Sequence, residues 1–218
     1  EVGREFEHTT GHKLNVINDA GLQDAYVKRI QAGETFDVFI FPPGLVDELI
    51  KQGKIAAQTR TVIARSGVGV AVRKGAPKPD ISTVDAFKRA LIDAKSIAYH
   101  KVGASGVQVA AMLQRIGIAN AIQSKVVRPE ADMVSKLVAQ GEVELGLVVT
   151  TQILTTPGVE LVGPLPAELQ SYVVFVAGVS AASNAPDAAR DLIKFLTGPI
   201  AIPVIRAQGM EPGGSFSK

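Results

Sequence analysis

The chain has 218 residues, 46% of them apolar and 20% charged, which is enough apolar content to build packed cores in one large domain or two small lobes. Its 23 basic and 21 acidic residues leave a formal net charge of +2 and no electrostatic footprint for nucleic acid. With no cysteine, a disulfide framework, a thiol nucleophile and a thiolate-held metal are excluded, and the longest apolar runs, residues 68–72, 145–149 and 173–179, fall far short of the roughly 20 residues that insertion into a membrane requires.

Helical and strand patterns alternate along the chain. Residues 2–9 have helical character, so the chain opens in mid-element with no signal-peptide pattern; a leader and a first strand are expected to have been removed or left out. Residues 13–17 alternate like a short strand. Leu22, Tyr26, Val27 and Ile30 follow helical spacing up to Gly33. Phe36 to Phe41 predicts a buried strand, followed by a rigid turn at Pro42-Pro43-Gly44 and a short helix to Gln52. Residues 61–73 form a long β-type stretch. After the loop 75–80, Ser82 or Thr83 caps a helix that runs to Ala94, with Asp85 in its first turn. A strand at residues 96–99 leads through the loop 100–105 to a helix at 106–116. Then follow a small strand at Val126-Val127, a helix at 131–139, strands at 145–149 and 159–162, and a long β segment at 170–179. A helix at 185–196 with Pro186 in its first turn and a last helix at 200–207 complete the pattern.

Strands alternating with helices predict α/β architecture with mostly parallel sheets covered by helices. The long β segments bracket an inserted block with its own strand–helix units. The expected organisation is two lobes joined by two β crossings. Residues 1–70 and 171–218 form the first lobe and residues 71–170 the second, a layout suited to a hinge.

The clearest local signal for chemistry is His100-Lys101-Val102-Gly103-Ala104-Ser105-Gly106, between a strand and a helix. Free backbone N–H groups at a helix N-terminus, with the positive end of the helix dipole, bind anions. Ala104, Ser105 and Gly106 are the expected contacts, and Ser105 could equally serve only as a helix cap. No Gly-Lys-Ser/Thr follows, so this is not a phosphate loop of the nucleotide-binding kind. Thr150 and Thr151 directly follow a buried strand, where ligands of open α/β sheets bind; a plain helix start is the alternative there. Residues 18–23 pair a strand end with a helix start in the same way. Arg65 can grip a carboxylate with two hydrogen bonds, or form a surface ion pair. Tyr172 can donate its hydroxyl from an apolar wall, or be a core aromatic. No His-Glu-x-x-His motif, close Asp/Glu/His cluster or Gly-x-Ser-x-Gly elbow points to a metal, a cofactor or a nucleophile. His100 and Tyr172 are the candidate bases if the chain is an enzyme.

Several stretches carry a resemblance. They are Ile30-Gln31-Ala32-Gly33-Glu34 running into Phe36-Asp37-Val38-Phe39-Ile40, then residues 64–72, Gly103-Ala104-Ser105-Gly106-Val107, Leu113-Gln114-Arg115-Ile116-Gly117-Ile118, residues 157–166, and Phe195-Leu196-Thr197-Gly198-Pro199. In their order and spacing they resemble the molybdate-binding-protein-like branch of the periplasmic (type II) solute-binding proteins of ABC transporters. The resemblance implies two α/β lobes with a small anion held between them by hydroxyls and backbone N–H groups. It also implies a periplasmic location, a membrane ABC permease as partner, and no direct insertion of the chain itself; the expected state is a monomer. By position, the ligand contacts would be Gln23, Ser105 with Gly106, Thr150 with Thr151, and Tyr172. Two departures stand out. The Gly/Ser/Thr-rich loop usual in this branch is here Asn18-Asp19-Ala20-Gly21-Leu22-Gln23, and the branch's first strand with its serine loop is absent. They shift the expected ligand from molybdate or sulfate toward an organic acid bound through Arg65. An isomerase on small carboxylic acids, like aconitate isomerase, is the alternative on the same scaffold.

Overall fold

The structure is a computed structural model that describes residues 2–17, 23–130 and 133–214, with the side chains of residues 23–25 outside the description. In chain order it forms α1 (Val2–Thr10), α2 (Gln23–Gln31), β1 (Val38–Phe41), α3 (Pro43–Lys51), β2 (Thr61–Arg73), α4 (Val84–Asp93), β3 (Ile97–Ala98), α5 (Ala104–Arg115), α6 (Ala119–Ile122), β4 (Val126–Val127), α7 (Met133–Gln140), β5 (Leu145–Val149), α8 (Thr150–Thr155), β6 (Val159–Pro164), β7 (Tyr172–Val179), α9 (Pro186–Leu196), α10 (Ala201–Ala207) and β8 (Met210–Pro212). None of the helices among the described residues is long and apolar enough to cross a membrane. The chain divides into two compact units, Glu1–Arg65 with Val174–Lys218, and Ser66–Val173. It passes from the first to the second within β2 and returns within β7.

In the first unit, β1 runs antiparallel to β7, with Val38 opposite Val179 and Phe41 opposite Val176. One apolar cluster joins Ile30, Phe39, Val46, Leu49, Ile55 and Val176. A second joins Ile63, Ala64, Ala177, Val179, Ala189, Ile193, Ala201 and Ile205. Helices α3 and α9 contribute residues three or four apart (Val46 with Leu49, Ala189 with Ile193), the spacing of one helix face. The Pro42-Pro43-Gly44 turn is the start of α3 itself. Pro43 sits in its first turn, where a missing N–H costs nothing and the fixed φ favours the helix. Arg29 and Arg60 hydrogen-bond to Glu34 and Asp47 and hold both exposed carboxyls below the ordinary carboxylate range.

The expected strand at residues 13–17 does not form. Val16 is 75% exposed and Ile17 38%, so the alternating pattern has no apolar layer to cover one face. The backbone N–H of Leu14 donates instead to Glu7 Oε1 at 2.8 Å.

In the second unit, β3 pairs in parallel with β4 and β5, while β2 runs antiparallel to β5 and β6. One side of the sheet packs a large core that includes Val68, Val70, Phe87, Leu91, Ile97, Leu113, Ile122 and Leu147. A second cluster joins Ala71, Ala98, Val134, Val138, Val148 and Ile153, with α7 supplying Val134 and Val138 at helical spacing. Of the two expected caps for α4, Thr83 is the one used: its hydroxyl accepts from Ala86 N–H at 3.1 Å. At the other end of that helix, Lys125 Nζ donates to the carbonyls of Ile92 and Ala94, a cation where the helix dipole is negative.

A glutamine completes the β2 ladder. Gln170 Oε1 accepts from the N–H groups of Val68 and Ser171, and its Nε2 donates to Val68 O at 3.0 Å. The side chain thus gives each backbone group of Val68 a second partner, beside Ser171 O at 3.1 Å and Leu165 N–H at 3.2 Å. A Cβ on Gly67 would lie 3.1 Å from Gln170 Nε2, so the glycine there makes room for the amide.

Candidate functional site

The register of the second unit brings three segments to one edge of its sheet. Parallel pairing sets Ala98 of β3 beside Gly146 of β5, so both strands end on the same side. Antiparallel pairing sets Val68 of β2 opposite Val149, so Ser66 reaches the residues just past the end of β5. The loop from β3 to α5, the start of α8 and Ser66 therefore share the carboxyl edge of the parallel strands, the position where open α/β sheets bind ligands.

Hydroxyls cluster there. Ser66 Oγ lies 3.2 Å from Thr150 Oγ1 and donates to Thr151 Oγ1 at 3.4 Å. Ser66 is fully buried and Thr150 nearly so. Thr150 and Thr151 are the first two residues of α8, and Val149, which makes no side-chain cap bond, stands at the N-cap position. Along the same edge, Ser105 Oγ lies 3.4 Å from His100 Nδ1, and both residues are buried.

The expected boundary between the 100–105 loop and its helix shifts. Helix α5 begins at Ala104, which puts Ser105 and Gly106 inside its first turn. Gly103 is the N-cap, at φ 89° and ψ 165°, a conformation open to glycine and costly for other residues. So Ser105 is not the cap, and the first-turn N–H groups of α5, which precede any intrahelical acceptor, face outward from the helix start. Gly106 is required by close approach. A Cβ there would lie 2.2 Å from His100 O. The chain leaving β4 braces this loop: Lys101 N–H donates to Pro129 O at 2.9 Å, and Tyr99 N–H to Val127 O at 3.3 Å.

Charge stays at the rim. Lys101 is exposed and paired with Glu130 at 3.3 Å. Arg128 donates to Lys101 O and stacks over the Tyr99 ring, 5.2 Å from its centre. The donors along the edge are neutral: the hydroxyls of Ser66, Thr150, Thr151 and Ser105, and backbone N–H groups at the start of α5. No group of three His, Asp or Glu side chains suited to a metal ion occurs among the described residues.

The remaining expected contacts lie elsewhere. Arg65 belongs to the first unit, where its Nε and Nη2 both donate to Glu211 Oε2, at 2.8 and 2.5 Å. Neighbouring side chains of a strand point to opposite faces, so Arg65 leaves β2 on the face away from Ser66. Tyr172 is half-buried at the start of β7, and its carbonyl accepts from Gln108 Nε2 of α5 at 3.1 Å. Gln23 opens α2; its side chain, like residues 18–22, lies outside the described residues. Ser66 is the residue that the sequence reading passed over. A lone serine within the apolar run from Val62 to Val72, on the alternation of Ala64, Val68 and Val70, was the signal available.

Residues 1–211 match the family of bacterial extracellular solute-binding proteins. The chain belongs to that family. It is 33% identical to aconitate isomerase from Pseudomonas sp. over 216 residues, which is 97% of this chain and 82% of that protein. It is 29% identical to the molybdate-binding protein ModA of Azotobacter vinelandii over 215 residues, 96% of this chain and 83% of that one. The solved Azotobacter vinelandii periplasmic molybdate-binding protein superposes with a TM-score of 0.76 at 20% identity, covering 96% of this chain and 91% of that one. This last likeness shows the fold, the two-lobed type II fold of periplasmic binding proteins.

Proposed function

We propose that this solute-binding protein captures a small anion at the carboxyl edge of the second unit's sheet, in the periplasm, for delivery to an ABC importer in the membrane. The observation that carries this reading is that neutral donors, with the Ser66, Thr150 and Ser105 side chains buried among them, share this edge. Ser66, Thr150 and Thr151 stand on one side, and Ser105 with the first-turn N–H groups of Ala104 and Gly106 on the other. Neutral donors and a helix N-terminus stabilise an anion without burying an opposite charge, which would cost desolvation on both partners. Arg65 has no part in this reading, because Glu211 already provides its carboxylate.

The anion is a carboxylate of low mass or a tetrahedral oxyanion. The relatives point both ways, since one is named for aconitate and another for molybdate. A second reading follows from the first of them. His100, buried beside Ser105, would act as a base that takes a proton from a carbon next to a bound carboxylate and returns it to another carbon of the same ligand, an isomerisation. One experiment addresses both readings. The chain is melted in the presence of molybdate, sulfate, phosphate and di- and tricarboxylates, and bound carboxylates are recovered from deuterated buffer. A specific anion at a hundredfold excess over its Kd raises stability by about 2.7 kcal/mol and visibly raises Tm. Deuterium in the recovered ligand, lost in His100→Ala, supports the isomerase; a stabilising ligand that takes up no deuterium leaves binding alone. If no anion shifts the melt, the proposal fails.

A further inference from the structure

Gln108 carries a buried acceptor that the fold leaves unused. Its Nε2 donates to Tyr172 O at 3.1 Å. That bond sets the orientation of the amide, because exchanging its nitrogen and oxygen would bring two acceptors together. Its Oε1 is closed off from solvent, and no donor among the described residues reaches it. Most buried polar side-chain atoms in folded proteins are paired, so an orphaned carbonyl oxygen calls for a partner.

The position of Gln108 says where that partner comes from. It follows Ser105 by three residues on α5, so both side chains leave the helix on one face. Every other polar group assembled at this edge can donate. The serine and threonine hydroxyls donate or accept, and the first-turn N–H groups only donate. Gln108 Oε1 can only accept. An acceptor beside an anion is repulsive unless the anion brings a hydrogen of its own.

We infer that Gln108 is a specificity-determining residue whose Oε1 accepts a hydrogen bond from an O–H group of the bound anion. The site then selects anions that carry a donor, either a hydroxycarboxylate or a hydrogen phosphate, over donor-free analogues of the same size and charge. This deepens the anion-binding reading above and rests on it.

The test is a calorimetric comparison at neutral pH of three matched pairs: malate with succinate, citrate with tricarballylate, and phosphate with sulfate. The first two pairs test the hydroxycarboxylate, the third the hydrogen phosphate. In the wild type, at least one donor-bearing member binds about tenfold or more tightly than its partner, equivalent to about 1.4 kcal/mol. In Gln108→Met and Gln108→Leu, checked for cooperative melting, that ratio falls to within about twofold. The wild-type ratios stand on their own if neither variant folds. Equal binding within every pair, or a folded variant that keeps the wild-type ratio, overturns the inference while the anion site stands. A wild type that binds none of the six overturns the inference, and one that binds no molybdate either overturns both.

Discussion

Gly106→Ala is expected to cost about 3 kcal/mol or more and to lower Tm by roughly 10 °C, a large effect for the addition of one methyl group. The reason is a backbone contact. A Cβ at this position would lie 2.2 Å from His100 O and 2.9 Å from its carbonyl carbon, distances no side-chain rotation can relieve. To accept the methyl, the first turn of α5 must move away from the strand end, and Ser105 and its N–H groups move with it. Loss of stability and loss of anion affinity should therefore appear together. Gly103 offers the control. A Cβ there meets nothing within 4 Å, but the residue sits at φ 89°. Gly103→Ala pays only conformational strain, of about 1–2 kcal/mol. Thermal melts of the two variants distinguish the causes: equal losses would contradict the close-approach account.

Thr150→Val is expected to do the reverse, weakening anion binding by about 10- to 100-fold with little change in Tm. Valine keeps the shape of threonine and removes the hydroxyl. A hydrogen bond to a charged group contributes about 1.5–3 kcal/mol, and 1.4 kcal/mol corresponds to tenfold in affinity. Ser66 keeps Thr151 as a hydrogen-bond partner at 3.4 Å. Calorimetry against the best anion of the panel, beside a melt of the unliganded variant, checks both halves. Unchanged affinity would remove Thr150 from the site.

Much of the architecture was legible because it depends on local pattern. The Thr83 cap, Pro186 in the first turn of α9 and the long apolar β stretches follow from short-range chemistry. Residues 13–17 show where pattern fails. Alternation makes a strand only when another layer covers one face, and that layer is a tertiary fact. The site divides in the same way. The Ala104-Ser105-Gly106 turn and the Thr150-Thr151 pair were visible as strand ends leading into helices. Yet Gly106 looked like an opening for an anion, whereas its immediate cause is the His100 carbonyl. Arg65 could be a ligand clamp or an ion-pair partner by sequence, because nothing local discloses Glu211, 146 positions later. Ser66 was the inverse case, legible in principle from strand alternation. Gln108 and Gln170 owe their roles to partners 64 and 102 positions away, beyond the reach of any pattern rule.

The central claim is that a neutral edge of the second unit holds the anion. Titration of the nitrogen-15-labelled chain with the most stabilising anion, followed by amide NMR shifts, tests it most directly. The account predicts that the largest shifts fall on Ala104, Ser105, Gly106 and Thr151, with Ser66 among those that move. Shifts centred on Arg65 and Glu211, or on the groove lined by Pro79, Arg89 and Glu144 at the start of β5, with the α5 amides unmoved, would contradict it.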